Sequence, residues 1–305
     1  LSPALLLENE LEILIPRRWN ACVLLVIVSL LTCDVLAESS VWKVSKGENY
    51  FYLGGTVHLL SAQDHPLPEE FTAAYQDASV LFFETDLVAT QSPEFQAKLL
   101  ATLTYSDDRT LASELTANTY QRLESYMALR QISLHNFDKF KPWGLSLMIS
   151  LMEYQRLGKV ASYGVDATFN ALALADNKSV MSLETPDEQL GFISSMATMD
   201  PNMGLDYTLR DLERLPEFSS AMKKHWRTGD LAAISANVFV VEMKTKFAVL
   251  YNTLLTTRNN AWMRRLPALL DDSATEFVLV GAMHLVGEEG LLQQLKKAGF
   301  EVVQL

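Results

Sequence analysis

Phe277-Val278-Leu279-Val280-Gly281-Ala282-Met283-His284-Leu285 decides the reading of this chain, because Tyr50-Phe51-Tyr52-Leu53-Gly54-Gly55-Thr56-Val57-His58-Leu59 carries the same pattern early on. In each, a run of β-branched and aromatic residues favours a strand and ends in the string Gly-x-x-His-Leu. The sequels also match. Pro68 to Ala78 reads as a helix leading into Val80-Leu81-Phe82-Phe83, and Gly290 to Ala298 as one leading into Val302-Val303. The expected fold is therefore α/β, a mixed, largely parallel central sheet built from two strand, Gly-x-x-His loop, helix, strand halves. A glycine closing a strand lets the chain turn with φ > 0, and the C-terminal ends of strands are where α/β sheets place ligands. His58 and His284 are expected to converge.

Other residues join them. Val80 to Phe83 is a run of four apolar residues, as suits a strand covered on both faces, and it ends in Glu84-Thr85-Asp86. If the first and second strands of that half were neighbours, Glu84 would lie beside His58. Val41-Trp42-Lys43-Val44 is separated from the first repeat by a link of hairpin length, Ser45 to Asn49. Between the halves the pattern is mostly helical. Ser92-Pro93-Glu94 opens one helix, Thr116 to Leu129 and Pro142 to Leu157 are the next, and Leu145, Met148, Ile149 and Met152 recur at core spacing. Asp166 is placed to cap a helix from Ala167 to Ala175. Val180 to Leu183 reads as a strand ending at Glu184, followed by the capping box Thr185-Pro186-Asp187-Glu188. Residues 205 to 266 are helical and carry Arg258-Asn259-Asn260 near their end. His65, Asp86 and His135 read as loop or surface residues.

Composition limits the function classes. The chain has 305 residues, 49% of them hydrophobic, enough for a sizeable core. Residues 1 to 37 place Arg17-Arg18 before the apolar run Ala21 to Thr32 and then Val35-Leu36-Ala37, the order of a signal peptide with an upstream extension, or of an uncleaved N-terminal anchor. Residues 38 to 305 are expected to form one domain. The implied location is periplasmic or secreted, the alternative being an inner-membrane anchor with the domain facing the periplasm. Cleavage is expected before Glu38, and both cysteines, Cys22 and Cys33, precede that cut. Beyond it no thiolate is available, so a metal would need nitrogen and oxygen ligands. Setting aside the two arginines and four acids before residue 38 leaves 23 basic and 33 acidic residues, a net charge of −10. That balance argues against a nucleic-acid partner.

Two histidines and a glutamate at strand ends are a ligand set for a divalent transition metal, with positions left for water and substrate. Such a metal lowers the pKa of bound water and polarises a carbonyl, which leads to hydrolysis. Glu184 or Asp166 would serve as base, and Arg258 would stabilise developing negative charge. A metal-free route is also open: one histidine as general base, oriented by Glu84.

The ordered set Gly55-Thr56-Val57-His58-Leu59, Glu84, Gly164-Val165-Asp166, Leu183-Glu184-Thr185 with Gln189, Arg258-Asn259, and Gly281-Ala282-Met283-His284-Leu285 with Gly287 resembles the TraB/GumN family. That family is related to the Tiki proteases and more distantly to erythromycin-esterase-like and ChaN-like proteins. The resemblance implies a metal-dependent hydrolase of peptide or small ester substrates, with manganese or cobalt, or else zinc, held by His58, Glu84 and His284. Arg258 and Asn259 are carried over as the polar pair beside the second motif. The alternative is a non-catalytic protein that holds a metal, haem or a peptide in the same pocket.

Overall fold

The computed structural model describes residues 39–271 and 273–305. The signal-peptide reading and the location drawn from it fall on residues 1–37, outside the described residues. Six strands form one sheet: β1 (Val41–Lys46), β2 (Asn49–Thr56), β3 (Val80–Phe83), β4 (Ser179–Ser182), β5 (Glu276–Gly281) and β6 (Glu301–Gln304). Their order is β4-β3-β5-β2-β1-β6. β2, β5, β3 and β4 run parallel, while β1 is antiparallel to both β2 and β6. The mixed, largely parallel α/β sheet is as expected.

Residue pattern explains the placement. β5 is buried along its whole length, and its side chains divide with the two-residue period of a strand. Phe277 and Leu279 join one core cluster with Phe71, Phe169 and Trp226. Val278 and Val280 join another with Phe82, Trp262 and Leu291. The outermost strands, β4 and β6, are four residues long and half exposed, as suits edges that must not recruit another chain. β1 and β2 are joined by a two-residue turn in which Gly47 takes φ = 66°, the positive value such hairpins need.

Three expectations need correction. The strands carrying His58 and Glu84 are not neighbours, because β5 lies between β2 and β3; the second Gly-x-x-His strand is inserted into the first half. The two halves also end differently, since β6 leaves β5 and pairs with β1 at the far edge. Finally, Gly55 and Gly281 are not among the positive-φ glycines. Both are there for close approach: a Cβ on Gly55 would stand 2.9 Å from Leu285 Cδ1 and 3.3 Å from Ala282 Cα.

Helices α1 (Glu69–Asp77), α2 (Pro93–Leu103), α3 (Ala117–Ala128), α4 (Pro142–Arg156), α5 (Val165–Ala175), α6 (Pro186–Ser194), α7 (Pro201–Glu213), α8 (Leu215–Arg227), α9 (Val238–Lys246), α10 (Thr257–Trp262) and α11 (Leu291–Lys297) surround the sheet or build the insertion. Ser92 caps α2, and the capping box at Thr185 opens α6. Leu145 and Ile149 of α4 enter the insertion's own core with Leu205 and Leu209, whereas Met148 and Met152 are only half-buried. Among the described residues no helix is long and apolar enough to cross a membrane.

Candidate active site

The C-terminal ends of β2, β5 and β3 deliver His58, His284 and Glu84 to one place. In the parallel register Thr56 pairs with Gly281, so the two Gly-x-x-His strings are offset by one residue. The loops then diverge. Beyond Gly281 the chain enters a 3-10 turn, Ala282–Leu285, and His284 is buried; beyond Thr56 it stays open, leaving the His58 side chain 60% exposed. A Cβ at Gly281 would lie 3.2 Å from Glu84 Oε1, 3.4 Å from His58 Nε2 and 3.7 Å from His284 Cδ2. All three candidate residues therefore border the space that this glycine keeps clear.

His58 is held by Asp166, which the sequence offers as a helix cap or as a base. The cap of α5 is Gly164, and Asp166 sits in its first turn. From there Asp166 Oδ2 lies 2.7 Å from His58 Nδ1, and its Oδ1 accepts from Thr56 Oγ1 at 2.9 Å. Gly164 makes this possible, since a side chain there would overlap the His58 carbonyl oxygen. With the carboxylate as acceptor, Nδ1 carries a proton and the neutral ring presents the Nε2 lone pair toward Glu84 and Gly281. The Asp166 charge raises His58 to about 9, an effect that water around the exposed ring weakens.

The buried floor is organised by Arg258. A π-helical stretch, Asn252–Thr256, precedes α10, and such interruptions recur at functional sites. Arg258 Nε donates to Glu184 Oε2 at 3.0 Å, and Nη2 to Glu184 Oε1 at 2.5 Å and Glu84 Oε2 at 2.6 Å. Its Nη1 donates to Leu254 O at 3.4 Å and His284 Nε2 at 3.2 Å. A guanidinium has five N–H donors, and all five are engaged. In this geometry Arg258 holds Glu84, Glu184 and His284, and none of its N–H groups is left over for an oxyanion.

The tautomer of His284 follows from Asn259. Asn259 Nδ2 donates to two carbonyls, His284 O at 3.1 Å and Glu289 O at 2.8 Å, so Oδ1 faces His284 Nδ1 at 2.7 Å. Nδ1 is the protonated nitrogen, and Nε2 accepts from Arg258. Burial pushes His284 down to about 3, keeping it neutral. Trp262, one turn beyond Arg258, packs on the ring at 4.4 Å between centroids. Burial alone would raise the Glu84 carboxyl, yet Arg258, His58 and the Gly281 amide, which donates at 2.6 Å, hold it below the usual carboxylate range. Glu184 goes the other way. Burial outweighs Arg258 and raises it to about 6.

The five residues singled out, His58, Glu84, Arg258, Asn259 and His284, are thus brought together, joined by Glu184 and Asp166. The remaining candidates lie apart from this chemistry. Asp86 accepts from Val88 and Ala89 amides, shaping its own turn; His135 is exposed beside Asp138; His65 Nε2 meets Tyr163 O at 2.9 Å. Trp262 was missed, although its spacing of four from Arg258 is a helical-turn signal.

The donor types suit a divalent metal, since both histidines have Nδ1 tied to an acceptor, the arrangement typical of ligating imidazoles. Their positions do not fit one. His284 turns its Cδ2 edge toward the Gly281 space while its Nε2 faces Arg258, and Glu84 Oε2 is held by the same guanidinium. Among the described residues no group of three or more His, Cys, Asp or Glu side chains is arranged to hold a metal ion.

The TraB/PrgY/gumN family profile matches residues 40–304, and the chain belongs to that family. It is similar to the uncharacterized protein YbaP of Escherichia coli strain K12, 27% identical over 82% of this chain and 89% of the relative. YbaP of Shigella flexneri is 26% identical over the same shares. No solved structure matches significantly.

Proposed function

We propose that the protein is a hydrolase of peptide or ester bonds, with His58 as general base. One observation carries this reading: His58 is the exposed group above a buried, charged floor, its Nδ1 fixed by Asp166 and its Nε2 facing Glu84 and the space at Gly281. Water held there would give its proton to Nε2 as its oxygen bonds to the substrate carbonyl carbon, and imidazolium would return the proton to the leaving amine or alkoxide. Asp166 stabilises the imidazolium. Glu84 borders the same space and is kept ionised by Arg258 and Gly281, so it accepts a hydrogen bond from the attacking water.

A metal-dependent version is the second reading, favoured by the Nδ1 acceptors on both histidines. Manganese, cobalt or zinc would be held by His58, Glu84 Oε1 and His284, the last only once Arg258 had left its Nε2. A periplasmic or secreted location remains part of the proposal, as does binding without turnover as its rival.

The test is a panel of peptides and esters offered to wild type and His58→Ala. Product from wild type and its loss, by about 10²–10⁴-fold, in the variant supports a base of this kind. Silence on every substrate, with tight ligand binding lost in His58→Ala, would instead establish a binding protein.

A further inference from the structure

The floor of the candidate site already holds a cation, and it belongs to the chain. The Arg258 side chain is 8% exposed, and its Cζ lies 4.8 Å from the Trp262 ring and 5.6 Å from that of Phe192. Its hydrogen bonds go to Glu84, Glu184, His284 and the Leu254 carbonyl. Carboxylates and imidazoles are also the groups that ligate a divalent transition metal. Guanidinium and metal ion therefore call on the same atoms.

The misfit to a metal lies in the lone pairs and not in where the atoms stand. His284 Nε2 is bonded to Cδ2, the atom that faces the Gly281 space. It is 3.7 Å from Glu84 Oε1, close to the about 3.0–3.4 Å between two ligands that each lie about 2.1 Å from one ion. No ring flip is needed, because Nδ1 is already tied to Asn259 Oδ1. The single lone pair of Nε2 is spent on Arg258 Nη1 at 3.2 Å, and Glu84 Oε2 is spent on Nη2 at 2.6 Å. Glu84 Oε1 gives one of its two lone pairs to the Gly281 amide and keeps the other. With Arg258 in place, the side-chain ligands bordering the Gly281 space are thus His58 Nε2 and Glu84 Oε1 among the described residues. Catalytic metal sites usually supply three.

We propose that Arg258 is the internal cation of this site and competes with a divalent metal for His284 Nε2 and Glu84 Oε2, so that a metal completes its ligand set only where the guanidinium is displaced. Charge acts in the same direction as the lone pairs. A dication beside the buried guanidinium meets a like charge that salt screens poorly, and expelling the guanidinium gives up three charge-assisted bonds to carboxylates. The inference stands apart from the hydrolase reading, since it concerns metal affinity and not turnover.

The test is calorimetric titration of the full chain with Co²⁺, run as a double-mutant cycle. Wild type is expected to bind weakly, and His284→Ala in that background to change the affinity by less than about threefold. Arg258→Met removes the competing charge and donors; it is expected to bind about tenfold tighter or more, a gain that His284→Ala in the same background cancels. Co²⁺ should then raise the Tm of Arg258→Met more than that of wild type. Arg258→Lys, with three donors on one nitrogen in place of five on three, serves if Arg258→Met fails to fold, and is expected to bind about threefold tighter than wild type. Unchanged or weaker binding in the folded Arg258 variant would overturn the proposal, as would a tenfold loss on His284→Ala in the wild-type background.

Discussion

His58 Nδ1 and Asp166 Oδ2 stand 2.7 Å apart, joining two residues 108 positions apart in the chain. The carboxylate favours the imidazolium, so deprotonation of His58 is displaced upward, toward about 9. Activity that needs the free base then rises with pH through that displaced value. Asp166→Asn keeps an acceptor for Nδ1 and removes the charge. The inflection of kcat/KM is expected to fall toward 6.5, and a profile identical to wild type would show that Asp166 does not act on the base.

Among the described residues Arg258 is the single cation facing Glu84 and Glu184 at hydrogen-bond distance. Arg258→Ala leaves those carboxylates buried and unpaired, an expected loss of about 3–5 kcal/mol in chemical denaturation at neutral pH. The deficit should shrink in acid, because protonating Glu84 and Glu184 relieves the variant more than it relieves wild type. A pH-independent deficit would contradict this assignment.

Gly281→Ala tests the space between the three candidate residues. The added methyl would press on Glu84 Oε1 and His58 Nε2 at 3.2 and 3.4 Å. Turnover is expected to drop about 10²-fold, with stability reduced by only about 1–2 kcal/mol. Unchanged turnover would move the chemistry elsewhere.

Asp64 gives a stability prediction distant from the chemistry. Burial alone would raise its carboxyl, but the Lys223 ammonium at 2.5 Å and two Ser61 donors hold it at about 2. A depressed carboxylate contributes stability fully present above its unfolded value of 3.8 and lost as pH falls toward 2. That contribution is on the order of 2 kcal/mol. In urea titrations Asp64→Asn should trail wild type by that amount at neutral pH and approach it below pH 3; a gap constant with pH would refute the linkage.

The repeated Gly-x-x-His string made the strands, the sheet type and the two histidines readable, since strand propensity and a motif are local properties. Strand order was not local. Nothing between Leu59 and Glu276 says that β5 will slip between β2 and β3, because that depends on burying Phe277 to Val280 on both faces. Asp166 reads as a cap or as a base for the same reason: an acid at a helix start looks alike whether it meets its own amides or a histidine from another loop. The partners of Arg258 are not local either: a lone arginine before a strand gives no sign that Glu84, Glu184, His284 and the Leu254 carbonyl will engage all its N–H groups.

The most direct test of the central claim is the hydrolysis rate of chelator-stripped protein, with and without added manganese, for wild type beside His58→Ala. Turnover by stripped wild type, indifferent to manganese and lost in the variant, is the predicted result. Turnover that appears only with manganese, or that survives His58→Ala, would contradict a histidine acting directly as the base.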